Sequence, residues 1–275
     1  MSLPNSAFVF IKPHANTPAV QSYVSSALTS AGLTVRSSGG IKGTRIDEDK
    51  IIDRHYYAIA SKATIMKPSE LAVPADRFEA TFGEAWSDVL EGGRAANALE
   101  ACERFGLDAK ALEAEWRRCE AGGKVVKFGG GFYCGRMEVE GREPLYVFNA
   151  FFMSMRSKYV GDNEIFYFSV EWNKDKLSWS DFRNTLLGPT DPSSAPPGSI
   201  RGTILQKWSE FGLGSAPDKA DNGVHASASP LEGLSEKMNW LSAPLASEPF
   251  GEALLGAGFA EGTIKEWCVD ARVLG

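Results

Sequence analysis

The chain has 275 residues, 43% of them apolar and 23% charged, with a formal net charge of −6. Such a length and balance fit a globular protein with a substantial buried core in one large or two small domains, and the negative charge excludes broad electrostatic binding to nucleic acid or acidic membranes. No apolar run approaches the ~20 residues that span a bilayer, so no membrane partner is expected.

The start, Met1-Ser2-Leu3-Pro4-Asn5-Ser6, lacks the basic flank and apolar core of a signal peptide. Cys102, Cys119, Cys134 and Cys268 have neither zinc spacing nor the density of a disulfide framework. Reduced thiols and a cytoplasmic location are the expectation.

In chain order, Ala7-Phe8-Val9-Phe10-Ile11 is a continuous apolar run that predicts a strand buried on both faces. Pro13 ends the ladder and leaves Lys12 at the carboxyl end of the strand, where sheets often bind ligands. Thr17-Pro18 supplies an N-cap and a first-turn proline, and Val20, Val24, Ala27, Leu28 and Ala31 keep helical spacing up to Gly32. A second strand begins near residues 33–35, and residues 47–57 read as helix. Residues 60–144 change character. Segments 76–93, 95–105 and 108–122 are rich in Ala, Glu and Leu and predict helices, and 124–137 predicts a hairpin around Gly129-Gly130-Gly131. The triple glycine is no phosphate loop, since no Gly-Lys-Ser/Thr follows it. Residues 145–156 predict an aromatic-rich helix, 165–172 a β-prone strand and 180–188 a short capped helix.

The stretch Asn222-Gly223-Val224-His225-Ala226-Ser227 reads as a glycine turn delivering a histidine and a hydroxyl to a pocket. A neutral imidazole nitrogen is a nucleophile near pH 7, and a carboxylate on the other nitrogen fixes the tautomer. Glu236, eleven residues on and near the middle of a helical pattern, is the candidate carboxylate. Ser227 is placed to hydrogen-bond either a departing bridging oxygen or the phosphorylated ring.

Four motifs occur in an order that resembles the nucleoside diphosphate kinases: Lys12-Pro13 after the first strand, Leu187-Gly188-Pro189-Thr190-Asp191-Pro192, Pro197-Gly198-Ser199-Ile200-Arg201-Gly202, and Asn222-x-x-His225-x-Ser227. The resemblance covers residues 5–57 and about 145–245. It implies an α+β fold: a ferredoxin-like βαββαβ core with an antiparallel four-stranded sheet, discontinuous over 5–59 and 145–245. An insertion subdomain over 60–144, mostly helical with a β-hairpin, and a C-terminal extension over 246–275 packed on the core complete the expected layout. It also implies ping-pong phosphotransfer from ATP or another nucleoside triphosphate, with Mg²⁺ arriving on the phosphates, to a nucleoside diphosphate.

By the same resemblance His225 is the phosphorylated residue and Glu236 its orienting partner. Lys12, Tyr56, Thr190, Arg201 and Asn222 would hold phosphate oxygens and ribose hydroxyls, and a homo-oligomer is the expected assembly. The chain departs from the family at His14 and Ala228, where aspartates are usual, and at Asn184, where the family has an arginine. Arg183 is one residue, about 100° of helix, from that place. The base-stacking phenylalanine falls beside the insertion, which leaves Phe151 or Phe152 as candidates. An inactive nucleotide-binding or scaffold protein on the same fold, with the insertion contacting a partner, is the alternative function.

Overall fold

A computed structural model describes residues 4–270. Among these the strands are β1 (Asn5–Ile11), β2 (Thr34–Lys42), β3 (Ala95–Asn97), β4 (Val125–Gly129), β5 (Phe132–Met137), β6 (Leu145–Phe148), β7 (Glu164–Trp172) and β8 (Val224–Ala226). The chain divides into two compact units, one of Met1–Ile51 with Tyr159–Gly275, the other Ile52–Lys158. No helix among the described residues is long and apolar enough to cross a membrane.

In the first unit the sheet has the order β2-β7-β1-β8, with every neighbouring pair antiparallel. The apolar run of β1 explains its central place, because alternate side chains must be buried on both faces. Ala7, Val9 and Ile11 enter one core with Val20, Val24 and Leu28 of the helix Pro18–Ser30 and with Ile200 and Ile204 of the helix Ile200–Gln206. Phe8 and Phe10 point the other way. Their rings lie 5.7 and 5.1 Å from that of Trp240, on the helix Pro230–Leu241. That helix comes close to the strand at Gly233, where a Cβ would sit 2.6 Å from the Ser6 carbonyl. Thr17 caps Pro18–Ser30 through the Val20 amide.

The C-terminal helices Pro249–Gly256 and Glu261–Val269 share a small core with Leu234, Leu245 and Ile264. Buried Lys237 is tied to Ser6 and, at 2.9 Å, to Glu248. The part of the expected extension over 271–275 lies outside the described residues.

The second unit has its own sheet, in the order β3-β6-β5-β4, with β3 and β6 parallel and the other pairs antiparallel. Around it stand the helices Ala75–Phe82, Trp86–Glu91, Ala98–Phe105 and Ala109–Ala121. A mostly helical insertion with one hairpin is therefore too simple a description. The hairpin β4–β5 is present, but β5 continues the sheet into β6. Residues 145–148, predicted as helix, are strand, because β6 is sandwiched between β5 and β3 and all four of its residues are buried. The helix resumes only at Phe152–Ser157. Residues 95–97, read as helix, form β3 for the same non-local reason, and the helix starts after the Asn97 cap. The long pattern 76–93 breaks at Gly83, whose φ of +73° ends the first of two helices.

Candidate active site

Site residues in the first unit come from the ends of β1 and β8, from the loops before β8, and from the helix after it. In β8, Val224 and Ala226 turn into the core and His225 turns to the opposite face, opposite Phe10 in the register. The imidazole stacks on the Phe10 ring at 4.8 Å and 25°.

The capped helix Pro230–Leu241 begins at Ser229, whose hydroxyl accepts from the Glu232 amide. Its first turns bring Glu236 back over β8. Nε2 of His225 lies 2.5 Å from Glu236 Oε1, and Ser227 Oγ donates to the other carboxylate oxygen at 2.6 Å. A carboxylate can only accept, so the ring hydrogen sits on Nε2 and Nδ1 carries the lone pair. Ser227 also accepts from the Phe8 amide at 2.9 Å. Fully buried and engaged in this way, its hydroxyl holds Glu236 against β1 and does not face a nucleotide, contrary to the role read for it in the sequence.

Burial pushes the His225 pKa down to about 3; Glu232 opposes this, while Lys12, Arg201 and Arg183 reinforce it. The ring is thus neutral throughout the physiological range. Glu232 was not singled out in the sequence. Its carboxylate accepts from the Ala228 amide, and burial followed by the charge of Glu236 raises its pKa. The signal was available, since Glu232 and Glu236 are four apart on one helix face.

Lys12 is buried at the end of β1, with Nζ donating to the Ala220 carbonyl at 3.2 Å. Arg201 is buried in the helix Ile200–Gln206. Its Nε and Nη2 donate to the Val224 carbonyl at 3.0 and 2.8 Å, and its Nη1 to the Gly188 carbonyl at 2.8 Å. It therefore positions β8 and the Gly188 loop as well as contributing charge. Asn222 is buried, and its amide donates to the Thr190 carbonyl at 3.0 Å, while its Oδ1 has no partner. Thr190 itself is exposed.

Arg183 lies in Phe182–Leu187, which is wound as a π-helix. The wider turn alters the angular offset that separates positions 183 and 184 on an α-helix. Exposed Arg183 contributes to the field at His225, whereas Asn184 donates to Ser180. Three sequence candidates belong to the second unit. Tyr56 packs edge-on against His55 at 4.6 Å. Phe152 is wholly buried in that unit's core, which removes it as a base-stacking residue, and Phe151 packs against Trp116 and Tyr133.

No family model matches the chain, and no curated protein matches it. Among solved structures it is similar to an NDP kinase from Pyrobaculum aerophilum, at 20% identity and a TM-score of 0.39 over 86% of this chain and 95% of that one. It is also similar to the nucleoside diphosphate kinase of Encephalitozoon cuniculi, at 14% identity and a TM-score of 0.41 over 87% and 90%. A third is the vanadate and ADP complex of nucleoside-diphosphate kinase from Borrelia burgdorferi, at 15% and 0.40 over 86% and 87%. TM-scores of this size mark loose likenesses, and the functional reading rests on the geometry of the site.

Proposed function

We propose that the chain is a nucleoside diphosphate kinase acting through a phosphohistidine at His225. The observation that carries this reading is the 2.5 Å contact of Nε2 with Glu236 Oε1. It fixes the tautomer that leaves the lone pair on Nδ1 of a neutral ring. In the first half-reaction that lone pair attacks the γ-phosphorus, and the bond to the β–γ bridging oxygen breaks. The nucleoside diphosphate leaves with the electron pair. In the second half, a terminal oxygen of another nucleoside diphosphate attacks the same phosphorus, and the P–N bond returns its pair to Nδ1.

Positive charge gathered round the ring supports the same assignment, because phosphoryl transfer asks mainly for positioning and neutralisation of spreading charge. Lys12, Arg183 and Arg201 supply that charge. Mg²⁺ would add to it on the nucleotide phosphates; we assign it no protein ligand. The unpartnered Asn222 Oδ1 suits a ribose hydroxyl as donor, with Thr190 beside it. The antiparallel order β2-β7-β1-β8, with Pro18–Ser30 between β1 and β2, fits a ferredoxin-like core.

The test is incubation with γ-labelled ATP and Mg²⁺, followed by acid treatment and then by addition of a nucleoside diphosphate. Acid-labile label that is absent from His225→Ala and passes to the added diphosphate is expected. Label that is acid-stable, or that survives the substitution, overturns the reading; nucleotide binding without label would favour the scaffold alternative.

A further inference from the structure

The turn that presents His225 depends on Gly223, whose φ of +84° favours a residue without a Cβ. Both peptide groups of this glycine are held by the segment just after β1. Its carbonyl accepts from the Lys12 amide at 2.9 Å, and its amide donates to Nε2 of His14 at 3.2 Å. Gly223 is buried, so the imidazole nitrogen satisfies a backbone donor that water does not reach. The His14 side chain is 28% exposed, and its Nδ1 lies 3.9 Å from Asp221 Oδ1. That carboxylate favours a hydrogen on Nδ1, the tautomer in which Nε2 is an acceptor. Protonation places a second hydrogen on Nε2, facing the Gly223 N–H, and the contact is lost.

We propose that His14 is a positioning residue for His225: its neutral ring holds the Gly223 turn that presents the nucleophile, and its protonation releases that turn. The catalytic consequence rests on the kinase reading above. The positioning itself does not. The charged group that faces the ring is Asp221, whose Oδ1 lies 3.9 Å from Nδ1; Asp218 lies on the same loop before β8, and Lys12 on the ring's own segment. Asp221 favours the charged ring, and the Gly223 amide favours the neutral one. His225 stays neutral across the range in which imidazoles ordinarily change charge, so its own titration does not overlap the effect.

Two substitutions separate the outcomes. In His14→Gln a side-chain oxygen replaces Nε2 as an acceptor at every pH; in His14→Leu there is no acceptor. Single-turnover labelling by ATP and Mg²⁺ between about pH 5.5 and 8.5 is measured together with hydrogen exchange at the Gly223 amide. The ratio of wild-type to His14→Gln rates should fall as the pH falls, which cancels any titration of the nucleotide common to both. At the upper pH, His14→Leu should lose about 10- to 100-fold in labelling rate with nucleotide affinity little changed, as for a misplaced reacting group. Gly223 should exchange faster in His14→Leu than in wild type, and His14→Gln should restore its protection. Equal Gly223 protection in wild type and His14→Leu, or a rate ratio independent of pH, overturns the proposal. If wild type takes no label at all, the kinase reading fails, and the exchange data alone decide whether His14 holds the turn.

Discussion

Each unit buries a carboxylate against a nitrogen base and a hydroxyl, and the two arrangements differ in one component. In the second unit Asp53 is completely buried. Nε of Arg156 donates to its two oxygens at 3.1 and 3.0 Å, and Thr64 Oγ1 donates at 2.5 Å. In the first unit Glu236 meets His225 and Ser227 at 2.5 and 2.6 Å. A guanidinium is charged at every accessible pH, so Asp53 faces a fixed cation. On the proposed reading the imidazole keeps one nitrogen for the carboxylate and one for chemistry. On that reading, exchanging a fixed cation for a neutral base is what separates a structural clasp from a reactive group.

Substitution tests this contrast in descending order of effect. Glu236→Gln should lower the rate of His225 labelling by about 10²- to 10⁴-fold, the range for losing an oriented acid–base partner, while the protein stays folded. Unchanged single-turnover kinetics would dissolve the distinction between the clusters. Asp53→Asn removes the negative charge paired with a buried guanidinium and should cost the second unit about 3–5 kcal/mol. Urea unfolding followed in that unit gives the value. The paired replacement Asp53→Leu with Arg156→Met should restore most of the loss, since a buried ion pair often contributes little beyond an apolar pair of similar volume.

Arg201→Ala falls between the two kinds of site. It leaves the Val224 and Gly188 carbonyls without their donor, and should cost about 1–3 kcal/mol in urea unfolding as well as slowing labelling. Loss of turnover with wild-type stability would mean that the carbonyl contacts contribute nothing.

The remaining prediction concerns pH dependence. His225 has a folded pKa of about 3 against an ordinary 6.5, so between these values the unfolded chain binds the extra proton. Its contribution to stability is present above pH 6.5 and is lost as pH falls toward 3, by at most about 1.4 kcal/mol per pH unit. The raised pKa of Glu232 acts in the opposite sense: its contribution is present below the ordinary 4.5 and is lost as pH rises through the folded value. Unfolding curves of wild type and His225→Phe over this range should diverge toward neutral pH relative to acid; parallel curves would remove the argument for a desolvated neutral ring.

Local chemistry made part of this structure legible from sequence. Thr17-Pro18, the spacing of Val20, Val24 and Leu28, and the unbroken apolar run of β1 all act within a few residues, and each has the predicted structure. The spacing of His225 and Glu236 was equally readable, because β8 and the helix Pro230–Leu241 are nearly consecutive in the chain. Leu145–Phe148 and Ala95–Asn97 were misread because each takes its strand form from the other across some fifty residues of sequence. His14 was noticed only as a departure from an expected aspartate; its role requires knowing that Gly223, far along the chain, lies beside it. Ser227 was expected to meet a nucleotide oxygen or the phosphorylated ring, since sequence does not reveal that its hydroxyl reaches the backbone of β1.

β8 is only three residues long and forms an outer edge of its sheet, a place where an extended segment from another molecule could add itself as a further strand. An incoming strand would need the Val224 carbonyl as an acceptor. The guanidinium of Arg201 already occupies that carbonyl with two of its N–H groups. The side chain that steadies the histidine strand therefore also guards the sheet against edgewise recruitment of stray polypeptide, and a protein lacking it would be more prone to aggregate through this edge.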